Sequence, residues 1–244
     1  MTPFTGFVAV ISGLAWGVLL LGGGPMPALP TLCTGGVLLA LPAEGTWVYR
    51  LSAISAPQLA ASWMVMLLAM MLPTAVRPVA YLRSRVFRKS ESGAVSAFIA
   101  GYLGVWVLAA LPLIGIALAM RLIFPLPGVP FALALGLAIF WQAVPTRQFA
   151  LNKCHGRPAL PGFGSSTLGS CLGYGIDHGF WCLTACAPVM LMALTAPAHS
   201  PLWMALAALW IWAERMEAPK RPEVRFRMPM RAVRMGRHRL LRHL

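Results

Sequence analysis

Acidic residues are the scarcest feature of this 244-residue sequence. It holds 6 Asp and Glu residues against 20 Lys and Arg, and charged residues make up only 11% of the chain. Soluble domains carry about 25% charged residues, so this composition excludes a water-soluble globule. A hydrophobic content of 59% and a mean hydropathy of +0.73 exclude a disordered chain, because disorder requires low hydrophobicity.

Recognisable catalytic motifs are also missing. The sequence has no phosphate-binding loop, no dinucleotide fingerprint and no nucleophile elbow, and no pair of carboxylates suggests acid–base catalysis. The 5 Cys residues do not indicate disulfides, since Cys182 and Cys186 on one straight helix have poor geometry for a bridge. These absences favour a role other than catalysis, although they do not decide the question.

What the sequence does contain is a series of apolar runs. Six such runs, most of them about as long as the ~20 residues that cross a bilayer as a helix or longer, predict an all-α membrane bundle of about six transmembrane helices over residues 1–215. A basic cytoplasmic tail over residues 216–244 follows. The runs cover residues 4–21, 59–82, 95–120, 129–149, 167–194 and 202–215.

One further apolar segment, residues 28–41, is ambiguous. It is short for a transmembrane helix and is bracketed by Pro27, Pro30 and Pro42. We therefore expect it to be re-entrant or interfacial on the outer side. If it crosses the membrane instead, the count becomes seven and the N-terminus moves outside.

The basic residues predict the orientation. Ten of the 20 Lys and Arg follow Ala213, and smaller basic groups lie at residues 83–89 and 147–157. Because cytoplasmic loops are enriched in Lys and Arg, both termini are predicted to be cytoplasmic. The tail is suited to anionic lipid or an acidic protein surface. Without a recognition module, it does not indicate nucleic-acid binding.

The fifth run carries polar residues that are unusual in a membrane. On a helix, Cys171, His178, Cys182 and Cys186 fall within about 80° of one another, Met190 continues the stripe and Asp177 lies beside it. Ionisable residues in hydrocarbon are costly and by default suggest a functional site.

These residues predict a site for a soft metal ion. The pair His178 and Cys182, or Cys182 and Cys186, lies one turn apart, and Met70 and Met71 of the second run fall at a similar depth. Thiolate and thioether ligands suit Cu(I), while Cys with His also suits zinc; the 14 Met residues favour copper. The alternative is structural: the Met and Cys side chains fill the core, and Asp177 and His178 pair with Arg or Lys from another helix.

Four short elements of the sequence resemble a known family. The chain looks like a diverged member of the uncharacterised bacterial "predicted metal-binding integral membrane protein" family, over about residues 63–215. The elements are Trp63 with Ala69-Met70-Met71-Leu72-Pro73, then Gln142, Pro145, Arg147, Cys154 and Arg157-Pro158, then Gly179 to Met190 around the two Cys residues, and Glu214-Arg215.

This resemblance implies a short polytopic protein of the bacterial inner membrane that binds metal through its Cys-rich helix. The chain departs from the family pattern at Arg147, Ala185 and Ala187, where the family tends to have Lys, Cys and Trp. The loss of the adjacent Cys weakens the part of the site that depends on a Cys pair.

Three functions remain open from the sequence. The first is an integral membrane protein that binds or handles a soft metal ion, copper before zinc. The second is an accessory or assembly subunit of a larger membrane complex with no metal bound. The third is a transporter or oxidoreductase in which Asp177 and His178 relay protons.

Overall fold

The computed structural model of the protein describes residues 3–21, 56–124, 126, 128–161, 166–196, 201–226, 228, 229 and 231. The segment 28–41 and Cys33 therefore lie outside the described residues, as does most of the basic tail. Over the described ranges the chain is helical and contains no strand.

Eight α-helices account for most of these residues. We number them α1 (Pro3–Leu21), α2 (Ala56–Met70), α3 (Val76–Arg83), α4 (Glu91–Ile123), α5 (Val129–Ala143), α6 (Pro145–Cys154), α7 (Ser166–Thr195) and α8 (Pro201–Arg215). Short 3-10 turns cover Leu72–Ala75 and Arg88–Ser90.

Each of the six apolar runs is helical, but they do not all have the length of a transmembrane helix. By length and composition, α4 and α7 are long and apolar enough to cross a membrane. Two bent pairs bring the number to four if each pair counts as one span: residues 59–83 bend by 47° and residues 129–154 by 74°. The coarse prediction of apolar helices is confirmed, and the six-span topology stays a prediction.

Proline explains where helices break. Pro73 lies in the 3-10 turn after α2, at the 47° bend, as expected for a residue that lacks an N–H and clashes with the preceding turn. Pro145 begins α6 at the 74° bend, which the sequence analysis did not predict. Pro112 and Pro188 lie inside α4 and α7 without ending either helix.

The chain divides into two compact units, and several helices contribute segments to both. Unit 1 comprises Met1–Val76, Val107–Gly136 and Pro188–Ala205, and unit 2 comprises Arg77–Trp106, Leu137–Ala187 and Leu206–Leu244. Both contain helical segments and buried apolar side chains.

In unit 1, α1 packs against α2. The Ser12 hydroxyl and the Trp16 indole both donate to the carbonyl of Ala69, at 2.9 and 3.2 Å. Such bonds satisfy polar groups that are costly to leave unpaired in an apolar environment. Arg121 donates to the carbonyls of Leu194 and Ala196, each at 3.3 Å.

In unit 2, α4 and α7 approach closely because glycine lies at the crossing. A Cβ added at Gly175 would overlap the carbonyl oxygen of Phe98, and one at Gly179 would lie 3.2 Å from the carbonyl of Tyr102. Small residues let two helix backbones come this near. The crossing brings the aromatic face of α4 onto the stripe of α7 that carries the candidate site.

Candidate metal centre

The stripe on α7 faces the protein interior. Cys171, His178, Cys182 and Cys186 are all buried, with exposed fractions of 0 to 3%. The predicted helical face is therefore correct. Asp177 instead lies on the exposed side of α7, where its carboxylate accepts a 2.9 Å hydrogen bond from the indole of Trp181.

Two of these thiols meet a buried arginine. Nη2 of Arg215, at the end of α8, lies 2.9 Å from the Sγ of Cys182 and 3.7 Å from the Sγ of Cys186. The Cys154 thiol at the end of α6 also interacts electrostatically with this guanidinium. Arg215 is 9% exposed, so this is an interior contact between a cation and sulfur atoms.

Aromatic rings of α4 and α7 surround His178. Its ring centroid lies 6.0 Å from that of Phe98, 5.7 Å from that of Tyr102 and 6.2 Å from that of Tyr174. Both ring nitrogens of His178 are buried and have no hydrogen-bond partner among the described residues. Most buried polar groups are satisfied, so an imidazole in this state is suited to accept a ligand.

Tyr102 links the imidazole to the thiols. Its hydroxyl lies 3.6 Å from the Sγ of Cys182, while its ring borders His178. His178 and Cys182 are one helical turn apart, and so are Cys182 and Cys186, so neighbouring side chains in this series lie over one another. The arrangement therefore offers one imidazole and two sulfurs along a buried face.

The residue before Arg215 in the sequence forms a buried ion pair. Glu214 pairs with Arg147 of α6, and the two side chains are 8% and 3% exposed. The basic group at residues 147–157 predicts a cytoplasmic loop position for Arg147, but the Arg147 side chain is buried. The structure shows instead that Arg147 neutralises Glu214, so the Arg215 guanidinium is available to the thiols.

The predicted methionine ligands are buried in unit 1. Met70 is the last residue of α2, Met71 follows it at the bend, and Met190 lies on α7 after Pro188; all three are 0% exposed. His178, Cys182 and Cys186 belong to unit 2. Their role as a common ligand set with the methionines stays a prediction.

No group of three or more His, Cys, Asp and Glu side chains that could hold a metal ion occurs within the part of the chain that the structure describes. The metal donors among the described residues are therefore two pairs one helical turn apart, His178 with Cys182 and Cys182 with Cys186. A pair suffices in number for a two-coordinate ion. Sequence reasoning did not place Arg215, Cys154 or Tyr102 at the site, although Cys154 and Arg215 lie in the elements that carry the family resemblance. For Tyr102 the advance signal was the general rule that polar groups in an apolar bundle need partners.

The segment after α8 folds back onto α6. Asn152 donates to the carbonyl of Lys220 and accepts from its N–H, at 2.7 and 3.1 Å. Glu217 accepts from Lys220 Nζ at 2.9 Å and from the Arg231 N–H at 2.6 Å. Partial burial raises the pKa of Glu217, but these two bonds outweigh it and lower that pKa overall.

Comparison with protein families supports copper handling. The model of the PpoB2 family, described as copper chaperone, matches residues 60–236. This range is well over half of the chain and contains every residue proposed above as a ligand. The searches of curated proteins and of solved structures found no match.

Proposed function

The chain belongs to the PpoB2 copper chaperone family, and on that premise we propose that it binds copper as Cu(I) through Cys182 and Cys186 and passes it on. The observation that carries the proposal is the buried thiol pair one turn apart on α7. The imidazole of His178, one turn away, has no hydrogen-bond partner among the described residues. The family description supports copper as the ion, and the site residues are our inference.

The chemistry of the donors suits this ion. Thiolate sulfur is a soft ligand that suits Cu(I) as well as zinc, and the family description favours copper. Binding replaces the two thiol protons, which leave to solvent or to an acceptor, with one Cu(I). A site with few ligands leaves room for an incoming ligand from an acceptor protein, which a carrier needs in order to release its ion.

His178 and the three buried methionines are further proposed ligands, each considered within its own unit. The imidazole of His178 offers a nitrogen that no described residue occupies, and Met70, Met71 and Met190 offer thioethers. We propose that they hold the ion before or after it resides on the thiols. Asp177, which is exposed and bonded to Trp181, contributes to the surface of α7 in this scheme.

Copper titration tests the thiol pair directly. Purified protein in detergent competes for Cu(I) with a chromophoric chelator such as bathocuproine disulfonate. We expect one tightly bound Cu(I) in the wild type and a loss of at least tenfold in affinity in Cys182→Ser and Cys186→Ser. Cys171→Ser is the matched control, because Cys171 is equally buried on the same helix. Equal affinity in all four proteins would refute the proposal.

We further propose that the bundle lies in the bacterial inner membrane with both termini cytoplasmic. Support comes from the exposed apolar side chains of α4 and α5, among them Leu108, Leu111, Leu137 and Phe140. A soluble monomer rarely exposes a large contiguous apolar patch. The basic tail would then meet anionic lipid or an acidic protein surface.

Reporter fusions test the orientation of α4. Alkaline phosphatase is active only outside the cytoplasm, so it should be inactive when fused after Ser90 and active when fused after Phe124, the two ends of α4. Equal activity at both positions would contradict a membrane-crossing α4.

The accessory-subunit alternative rests on the same contact. A guanidinium bonded to two thiols could serve packing alone, which is what an arginine partner suggests. The family match favours copper handling over this reading. The titration separates the two, since a purely structural pair would bind no copper.

A further inference from the structure

We infer that Arg215 makes the Cys182–Cys186 pair selective for a monovalent metal ion over a divalent one. This inference rests on the proposed copper site, since it concerns the charge of the ion held there. It assigns to Arg215 a positioning and charge-balancing role that neither the sequence motif nor the family description specifies.

The Arg215 guanidinium is buried, and one of its nitrogens contacts a thiol. Arg215 is 9% exposed, and its Nη2 lies 2.9 Å from Cys182 Sγ. Its Nε and Nη1 have no hydrogen-bond partner among the described residues. A buried cation is costly unless an anion meets it.

Arg215 has no carboxylate partner in the part of the chain that the structure describes. Within the described ranges, the ion pairs are Arg83–Glu91, Arg147–Glu214 and Lys220–Glu217, and none includes Arg215. The neighbouring Glu214 is held by Arg147. The sulfur atoms of Cys182 and Cys186 are therefore the groups placed to carry the compensating negative charge.

The total charge of the two thiolates, the metal ion and Arg215 depends on the charge of the ion. Two thiolates and Cu(I) together carry one negative charge, and the Arg215 guanidinium brings the cluster to zero. Two thiolates and Zn(II) are already neutral, so the same guanidinium leaves one uncompensated positive charge. An uncompensated charge is disfavoured in the interior, and Arg215 therefore penalises the divalent ion.

The other charged or titratable groups do not upset this balance. The Arg147–Glu214 pair is neutral in sum, and His178 binds metal only as neutral imidazole. Cys154 adds no charge while it remains a thiol. Arg77 lies on the exposed side of α3, and its guanidinium meets the Arg215 carbonyl at 2.7 Å.

The test is the ratio of Cu(I) to Zn(II) affinity, each measured on purified full-length protein with a competing chelator. We expect Arg215→Gln and Arg215→Leu to lower this ratio at least tenfold, and Arg215→Lys to keep it within about threefold because it retains the charge. Arg225→Gln is the control, since Arg225 is exposed and should leave the ratio unchanged.

The outcomes separate this inference from the proposed function. An unchanged ratio in a folded neutral variant, or a loss in Arg215→Lys as large as in the neutral variants, overturns the role of Arg215 while the copper site stands. Retention of copper in Cys182→Ser and Cys186→Ser removes the site itself. If neither neutral variant keeps its helical circular dichroism, Arg215→Lys decides alone: retention of the ratio supports the inference and a tenfold loss refutes it.

Discussion

The packing of α4 against α7 predicts that Gly175 does not tolerate a larger side chain. In Gly175→Ala, the new Cβ would overlap the carbonyl oxygen of Phe98 and lie 3.1 Å from its Cα. Both atoms belong to the backbone, so no side-chain rotation relieves the overlap. One of the two helices must move, at the same crossing that holds Tyr102 against Cys182.

The magnitude follows from two opposing effects. Alanine in place of glycine in a helix interior stabilises by up to about 1 kcal/mol. Overpacking a close contact costs about 1–3 kcal/mol, toward the upper end when backbone must shift. We therefore expect Gly175→Ala to reduce the free energy of unfolding by about 1–2 kcal/mol.

Gly173 in the same helix provides the matched control. A Cβ there would meet no atom of the described residues within 4 Å, so we expect Gly173→Ala to have only the favourable helical effect. Thermal unfolding in detergent, followed by circular dichroism at 222 nm, should give a lower Tm for Gly175→Ala and an unchanged or higher Tm for Gly173→Ala. Equal Tm values for the two variants would refute the close approach of α4 and α7.

Two further predictions concern charged residues. Arg147→Met leaves the buried Glu214 carboxylate without its partner and should reduce the free energy of unfolding in denaturant by about 3–5 kcal/mol. The double variant Arg147→Met/Glu214→Leu should recover much of this loss. An additive loss in the double variant would contradict the pairing. Since the pKa of Glu217 is lowered on folding, its contribution is present above its ordinary value of 4.5 and is lost as the pH falls through the lower folded value. Pulse proteolysis should therefore cut residues 216–231 faster at pH 3 than at pH 7, and Glu217→Gln should remove most of that difference; an unaltered pH dependence in Glu217→Gln would oppose it.

The helices themselves could be read from the sequence. The predicted run of residues 167–194 and the observed α7, Ser166–Thr195, differ by one residue at each end. This agreement has a local cause, because an apolar stretch satisfies its backbone hydrogen bonds within itself and proline interrupts it where the N–H is missing. The bend at Pro145 was missed because the apolar run continues through it to Phe149.

The buried face of α7 was also readable. Cys171, His178, Cys182 and Cys186 recur at helical spacing, and all four are buried. Periodicity alone was enough, since side chains three or four residues apart share one side of a helix. Asp177, adjacent in sequence but 100° away around the helix, is on the exposed side.

The sequence alone thus determined the helical class, the apolar runs and the inward stripe of sulfur and imidazole, because each depends on residues close along the chain. Only the tertiary structure decided that Arg215 meets Cys182, 33 positions earlier, and that Arg147 takes Glu214. Partner choice of this kind depends on how helices approach and rotate against one another. That arrangement is set by packing across many residues, and no local pattern in the sequence encodes it.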